Sequence, residues 1–329
     1  MKPKTTNLKY LIFTFLFAFS CHGQKQESSS EVEIIFFSAD QGKSWQNRSK
    51  GLSPTAGIGL GGISASGDTL ALFSKDKGLY LFHQASESWE NIPTDKELLR
   101  QNPSAVLFFS RKLFVATQTN GVYQTNNLGK TWSQVNAGLE SLTIRKFVVF
   151  NDQLFAGTNS GVYAFDSQTE SWSKEIGSPT LQVNGFAVLD NTLYIGTNQG
   201  IFSRIKTQTG WNSVLEGISL HNVSTDQKKL FAETYNELLI SPDFGQTWQS
   251  AQTGLPPTLY TFNVINHQNS TYAAQWDGVY RWNNATHSWN PASAGIPAGL
   301  AIHNLLSYNK WLVANGNPRE LRPGMTLDK

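Results

Sequence analysis

The sequence predicts an all-β fold, a seven-bladed β-propeller of four-stranded antiparallel blades whose ring is closed by a composite blade made from both chain ends. Three observations predict it. Seven tryptophans, Trp45, Trp89, Trp132, Trp172, Trp211, Trp248 and Trp289, recur at intervals of 37 to 44 residues, the length of one four-stranded sheet with its turns. Upstream of them one text repeats, LFAGTNSGVY at 154–163 and LYIGTNQGIF at 193–202, with 113–123 a third copy. In it, apolar and small residues run into a polar turn containing Gly and then alternate again, as a hairpin requires. Finally, the two end segments are each incomplete, and in complementary ways.

In chain order, the first element is a signal peptide over residues 1–20. Lys2, Lys4 and Lys9 precede an apolar run at 10–19 that is too short to span a bilayer as a helix. Cys21 is the single cysteine of the chain, so it has no disulfide partner within it. The run Phe17-Ala18-Phe19-Ser20-Cys21 resembles the lipobox of bacterial lipoproteins; the resemblance implies cleavage before Cys21 and its lipidation. A plain signal peptide cleaved nearby is the alternative. Residues 21–32 are expected to be the lipidated Cys and a flexible tether, polar and without apolar period.

Residues 33–329 are expected to form the propeller, with no internal linker. A full unit reads as strand A at 145–150, B at 153–158, C at 161–165 and D at 171–175. Six such units end at the six later tryptophans. Residues 33–38 with 45–47 supply only a C and a D strand, and 301–308 with 310–315 only an A and a B. Pairing them makes a seventh blade and removes the open edges of an unclosed array. A Gly-Leu or Gly-Ile six residues after the tryptophan, at Gly51, Gly138, Gly254 and Gly295, marks a further turn. The composition of 12% aromatic and 15% charged residues with 27 glycines suits many short strands and tight turns. A net charge of +2 with scattered basic residues gives no basic stripe for nucleic acid.

The turn from strand C to strand D carries a family resemblance. SADQGKSW at 38–45 and SPDFGQTW at 241–248 resemble the Asp-box, or BNR repeat, of sialidase-like propellers, and TNNLGKTW at 125–132 is a third copy with Asn for Asp. The structural positions of these boxes are Asp40, Gly42 and Trp45, then Asn127, Gly129 and Trp132, then Asp243, Gly245 and Trp248. Asp or Asn accepts bonds from turn amides, Gly tolerates positive φ, and Trp fills the gap between sheets. By length and by its sparse boxes the chain resembles the photosystem II stability and assembly factor-like group of docking propellers more than the active sialidases. Sialidases hold a substrate carboxylate with three arginines, the first in Arg-Ile-Pro, and use a Tyr-Glu nucleophile with an Asp acid/base. None of the eight arginines here precedes Ile-Pro, and Arg145 alone falls at the start of an innermost strand.

No nucleophile elbow, phosphate loop or His-Glu-x-x-His site occurs, and the six histidines are dispersed; no catalytic residue, cofactor or metal is expected. A ligand is expected instead on the face shared by the D-to-A and B-to-C loops, opposite the Asp-boxes. Aligning the units places Arg145, Asn184, His221 and His303 at its mouth, closely followed by Lys146, Asn222, Asn263 and Asn304. The B-to-C loops add Gln118, Asn159, Asn198, Tyr235, Trp276 and Asp277. Such a mouth suits a carboxylate, a glycan or a peptide backbone; the bland alternative for each residue is satisfaction by neighbouring backbone or water. Trp276 reads as an exposed indole for a sugar face or an apolar patch, or else as a local packing plug. The expected function is a monomeric, non-catalytic binding or assembly module of the bacterial cell envelope, docking a protein, peptide or glycan. A glycoside hydrolase of the sialidase-like superfamily is the alternative.

Overall fold

The computed structural model describes residues 32–75, 77–94, 98, 102–257 and 261–318. The expected signal peptide, Cys21 and the tether before Val32 lie outside these residues. The described strands form seven four-stranded antiparallel sheets. Their innermost strands are Ile58–Ser66, Pro103–Phe109, Ile144–Phe150, Val183–Leu189, Leu220–Thr225, Thr261–His267 and Leu300–Tyr308, which define blades 1 to 7 in that order. Each innermost strand contacts the next around the ring, and Leu300–Tyr308 contacts Ile58–Ser66 to close it. The molecule is a seven-bladed β-propeller.

Blade 3 shows how sequence becomes sheet. Its strands are Ile144–Phe150, Gln153–Thr158, Gly161–Asp166 and Ser171–Ile176, within a residue or so of the bounds read from the repeat. The turn between the first two carries positive φ at both Asn151 and Asp152, the twist-matched geometry of a two-residue hairpin. The second strand is buried along all but its first residue, because both of its faces lie against neighbouring blades. That is why the repeat reads there as an apolar and small run rather than as an alternation.

The seventh blade is composite. Strand Ile35–Ser38 pairs with Trp311–Pro318 and on its other side with Gln46–Asn47, and Trp311–Pro318 pairs with Leu300–Tyr308. Ile34, Ile35, Phe36 and Phe37 are all buried by this docking. Ile35 pairs with Asn315, and Leu300 pairs with Pro318. Both described ends therefore reach the face on which the innermost strands begin.

The tryptophans and the glycines that follow them are two halves of one joint. In blades 7, 1, 3 and 6 the indole N–H donates to a carbonyl of the preceding blade, Trp45 to Ala292 at 2.6 Å, Trp89 to Arg48 at 2.7 Å, Trp172 to Val135 at 2.8 Å and Trp289 to Ala251 at 2.9 Å. Their backbone N–H groups bond the same segments, as in Trp172 to Ala137 at 2.8 Å. The carbonyl of each then rests on the preceding blade's glycine. At Gly138, with φ of +87°, a Cβ would lie 2.0 Å from the Trp172 oxygen, so a side chain is excluded on both grounds. Gly51, Gly254 and Gly295 meet Trp89, Trp289 and Trp45 in the same way. Trp132, Trp211 and Trp248 lack this joint and are only half-buried. The Trp211 ring is covered by the Arg204 guanidinium, which pairs with Glu175 across the seam.

On the face opposite the strand starts, the three box turns share one hydrogen-bond pattern. Asp40 Oδ1 accepts from Ser38 Oγ at 2.8 Å and from Ser44 N at 2.9 Å, and Asp243 does the same with Ser241 and Thr247 at 2.8 Å each. Asn127 reproduces it with Thr125 at 2.9 Å and Thr131 at 3.0 Å. The Ser44 hydroxyl, which donates to Asp40 Oδ2 at 2.6 Å, and then the Ser44 N–H and Ser38 bonds hold the Asp40 carboxyl down to a pKa of about 2. Gly42, Gly129 and Gly245 take the positive φ in each turn.

Candidate functional site

Every innermost strand is interrupted by a register shift near its start. The residues left over are Ser104, Arg145, Asn184, His221, Phe262 and His303 in blades 2 to 7, with a longer irregularity in blade 1. A β-bulge re-aims its side chain. Six bulges in phase around a ring therefore aim six side chains at one axis, and all six line a cavity of about 600 Å³. Strand order puts this cavity at the channel mouth, on the side of the B-to-C loops and away from the box turns.

The structure thus brings Arg145, Asn184, His221 and His303 together. Trp276 and Asp277 are not among the lining residues. Trp276, read from the sequence as an exposed indole or a local packing plug, is half-buried and stacks on Phe262 with centroids 5.9 Å apart. Phe262, the bulged residue of the same blade, holds it there. Asp277 accepts a hydrogen bond from the Tyr280 hydroxyl at 2.8 Å. The amides expected to follow the mouth residues bridge neighbouring blades: Asn222 donates to Phe262 O at 2.9 Å, Asn263 to Leu305 O at 3.0 Å and Asn304 to Gly59 O at 3.3 Å. They hold the inner ring together.

Charge in the mouth is simple. The charged side chains lining it are Arg145 and Lys146, both cations. Burial pushes His221 and His303 down to about 4, with the Lys146 charge adding to the effect at His221, so both rings are neutral at pH 7. Burial also pushes Lys146 down, opposed by the carboxyl of Glu233. Glu233 is fully buried and pushed up by burial; its Oε1 accepts from Ser224 Oγ. It lies opposite Asn222 in register, where blades 2, 3, 4 and 6 have Ala116, Gly157, Gly196 and Ala274. Sequence reasoning passed over Glu233, although a charge among small residues in the aligned units marks it.

Arg145 and Asn184 in the mouth retain unused hydrogen-bonding capacity. Arg145 donates to Asn159 Oδ1 at 3.0 Å, and among the described residues it makes no ion pair. Asn184, 6% exposed, donates Nδ2 to Leu220 O at 2.6 Å, which fixes its amide orientation, and its Oδ1 has no partner. Ile58, Pro103, Ile144 and Phe262 supply apolar wall. No group of His, Cys, Asp and Glu able to hold a metal occurs among the described residues.

Fold and site together define a propeller with a polar, cation-bearing mouth. No protein-family profile matches the sequence, and no curated protein matches it. Among solved structures it is similar to the extracellular domain of a B. thetaiotaomicron protein described as a one component system, with 14% identity over 81% of this chain and 39% of that chain and a TM-score of 0.63. It is also similar to YCF48 bound to D1 peptide, with 14% identity over 83% of this chain and 98% of that chain and a TM-score of 0.60. A third is the GH74 xyloglucanase from Xanthomonas campestris, with 13% identity over 87% and 56% and a TM-score of 0.60. The chain spans less than half of the first of these. At such identities the likeness shows the fold alone.

Proposed function

We propose that this chain is a non-catalytic binding or assembly module of the bacterial cell envelope, docking a partner over the channel mouth. One observation carries the reading: six bulges converge on a cavity whose charged lining groups are both cations. Glycoside hydrolysis ordinarily calls for two carboxyl groups flanking the scissile bond, whereas this arrangement is suited to holding an anionic or polar group. The similar structures lend support in their own terms, since one is an extracellular domain and another holds a peptide. The partner classes are an envelope protein, a peptide or a glycan.

The test is affinity purification of the full-length protein from its native membrane. Arg145→Ala is expected to weaken a co-purifying partner about tenfold or more with little change in melting temperature. Leu128→Ala and Phe244→Ala, on the opposite face and 46% and 49% exposed, should leave it bound. Loss of the partner only in the opposite-face variants, or release of sialic acid or oligosaccharide turnover by the purified protein, would overturn the reading.

Anchoring through Cys21 belongs to the same proposal. Mass analysis of the mature N-terminus is expected to find a lipid-modified Cys21 as the first residue; an unmodified thiol or a different start would reject it.

A further inference from the structure

We infer that the mouth recognises the free carboxy-terminal residue of a peptide chain, with Arg145 taking the carboxylate and Asn184 the last amide N–H. The inference rests on the docking reading and narrows its ligand.

Three features of the cavity lead there. The first is an unbalanced cation. Arg145 is half-buried, makes no ion pair among the described residues, and has a neutral amide as its hydrogen-bond partner. A partly desolvated guanidinium is best satisfied by a carboxylate, which it can grip through two parallel bonds. The second is the orphan acceptor. Asn184 Oδ1 is buried and unpartnered, and a buried acceptor left so costs about 1–3 kcal/mol until a donor arrives. Arg145 and Asn184 occupy equivalent bulges of adjacent blades, so one ligand end faces both. It must offer an anion and a single donor close beside it, and a chain terminus does so by construction: carboxylate and amide N–H share one α-carbon.

The third feature separates a chain end from an acidic sugar. A sugar acid brings several hydroxyls, each needing a partner. Two further amides of the mouth are already engaged: Asn222 with Phe262 O, and Asn317 with Ile58 O at 2.9 Å and His303 Nδ1 at 3.1 Å. Ser104 Oγ donates to Ile144 O. Between these engaged groups lie Ile58, Pro103, Ile144 and Phe262, which accommodate an apolar side chain on the terminal residue.

The experiment titrates the full-length protein with hexapeptides ending in Leu, Val, Phe or Ala, each as free acid and as carboxy-terminal amide, and with glucuronate. At least one free acid is expected to bind about thirtyfold more tightly than its amide. In Arg145→Gln, acid and amide should bind alike; methylating the last amide nitrogen should weaken the acid in the wild type and much less in Asn184→Ala. The acid and amide comparison on the unaltered protein needs no variant to fold. Equal binding of acid and amide, no binding of any peptide, or Arg145-dependent binding of glucuronate alone would overturn the inference. A native partner that still co-purifies through Arg145 when its own carboxy terminus is blocked would sink this inference while leaving the docking reading intact.

Discussion

Removing residues 33–47 is expected to abolish the folded monomer. The segment supplies two of the four strands of blade 7, and its docking buries Ile34, Ile35, Phe36 and Phe37. At about 1.5–3 kcal/mol for each fully buried side chain, their loss costs roughly 6–12 kcal/mol as an upper figure. That matches the 5–15 kcal/mol by which whole domains are typically stable. Deletion also strips the partner from Trp311–Pro318 and opens a sheet edge that pairs readily with other chains. The measurement is size-exclusion chromatography with urea unfolding. The truncated chain should elute as aggregate or unfold without a cooperative transition, and a synthetic peptide of residues 33–47 added in trans should restore part of the folded signal. A truncated monomer with an unchanged unfolding midpoint would show that the ring does not depend on this closure.

The seven tryptophans are expected to divide into two energetic classes. Trp172→Ala or Trp289→Ala removes a ring that is 4% or 2% exposed along with its indole hydrogen bond to the preceding blade, and should cost about 3–5 kcal/mol. Trp132→Ala and Trp211→Ala remove half-buried rings whose indole nitrogens have no hydrogen-bond partner, and should cost about 1–2 kcal/mol. Gly138→Ala should behave like Trp172→Ala, since it displaces the Trp172 carbonyl from the other side. Chemical denaturation of the variants decides the matter. A uniform cost across all seven positions would show that the joint adds nothing to burial.

Much of this was legible in the sequence because a propeller blade is a periodic object. The tryptophan spacing gave the number of blades, and two incomplete ends with complementary strands gave the composite blade. The glycines were visible too, but each reads as a local turn until its contact with the next blade's tryptophan is seen, roughly 35 residues further on. Mouth residues could be aligned, which brought Arg145, Asn184, His221 and His303 to one place. What alignment cannot give is the direction of a side chain after a bulge. Asn184 and Asn222 both donate across a seam from innermost strands, yet Asn184 alone leaves a buried side-chain oxygen without a partner. Trp276 left two readings open for a similar reason, because its stacking partner, Phe262, comes from a bulge 14 residues earlier that carries no local mark.

The position of the chain ends has a consequence for where the mouth can work. Because Ile35 enters blade 7 from the mouth side, the described chain joins the propeller on the same face as the cavity. With lipid attached at Cys21, about 11 residues separate that lipid from Val32, a contour of at most about 40 Å. Under the proposed anchoring, that contour bounds how far the mouth could stand from the bilayer surface. A partner reaching the cavity would have to present its chain end close to the headgroups, so soluble polypeptides diffusing far from the surface would seldom be sampled, whereas the short protruding tails of integral proteins would be met at high local concentration.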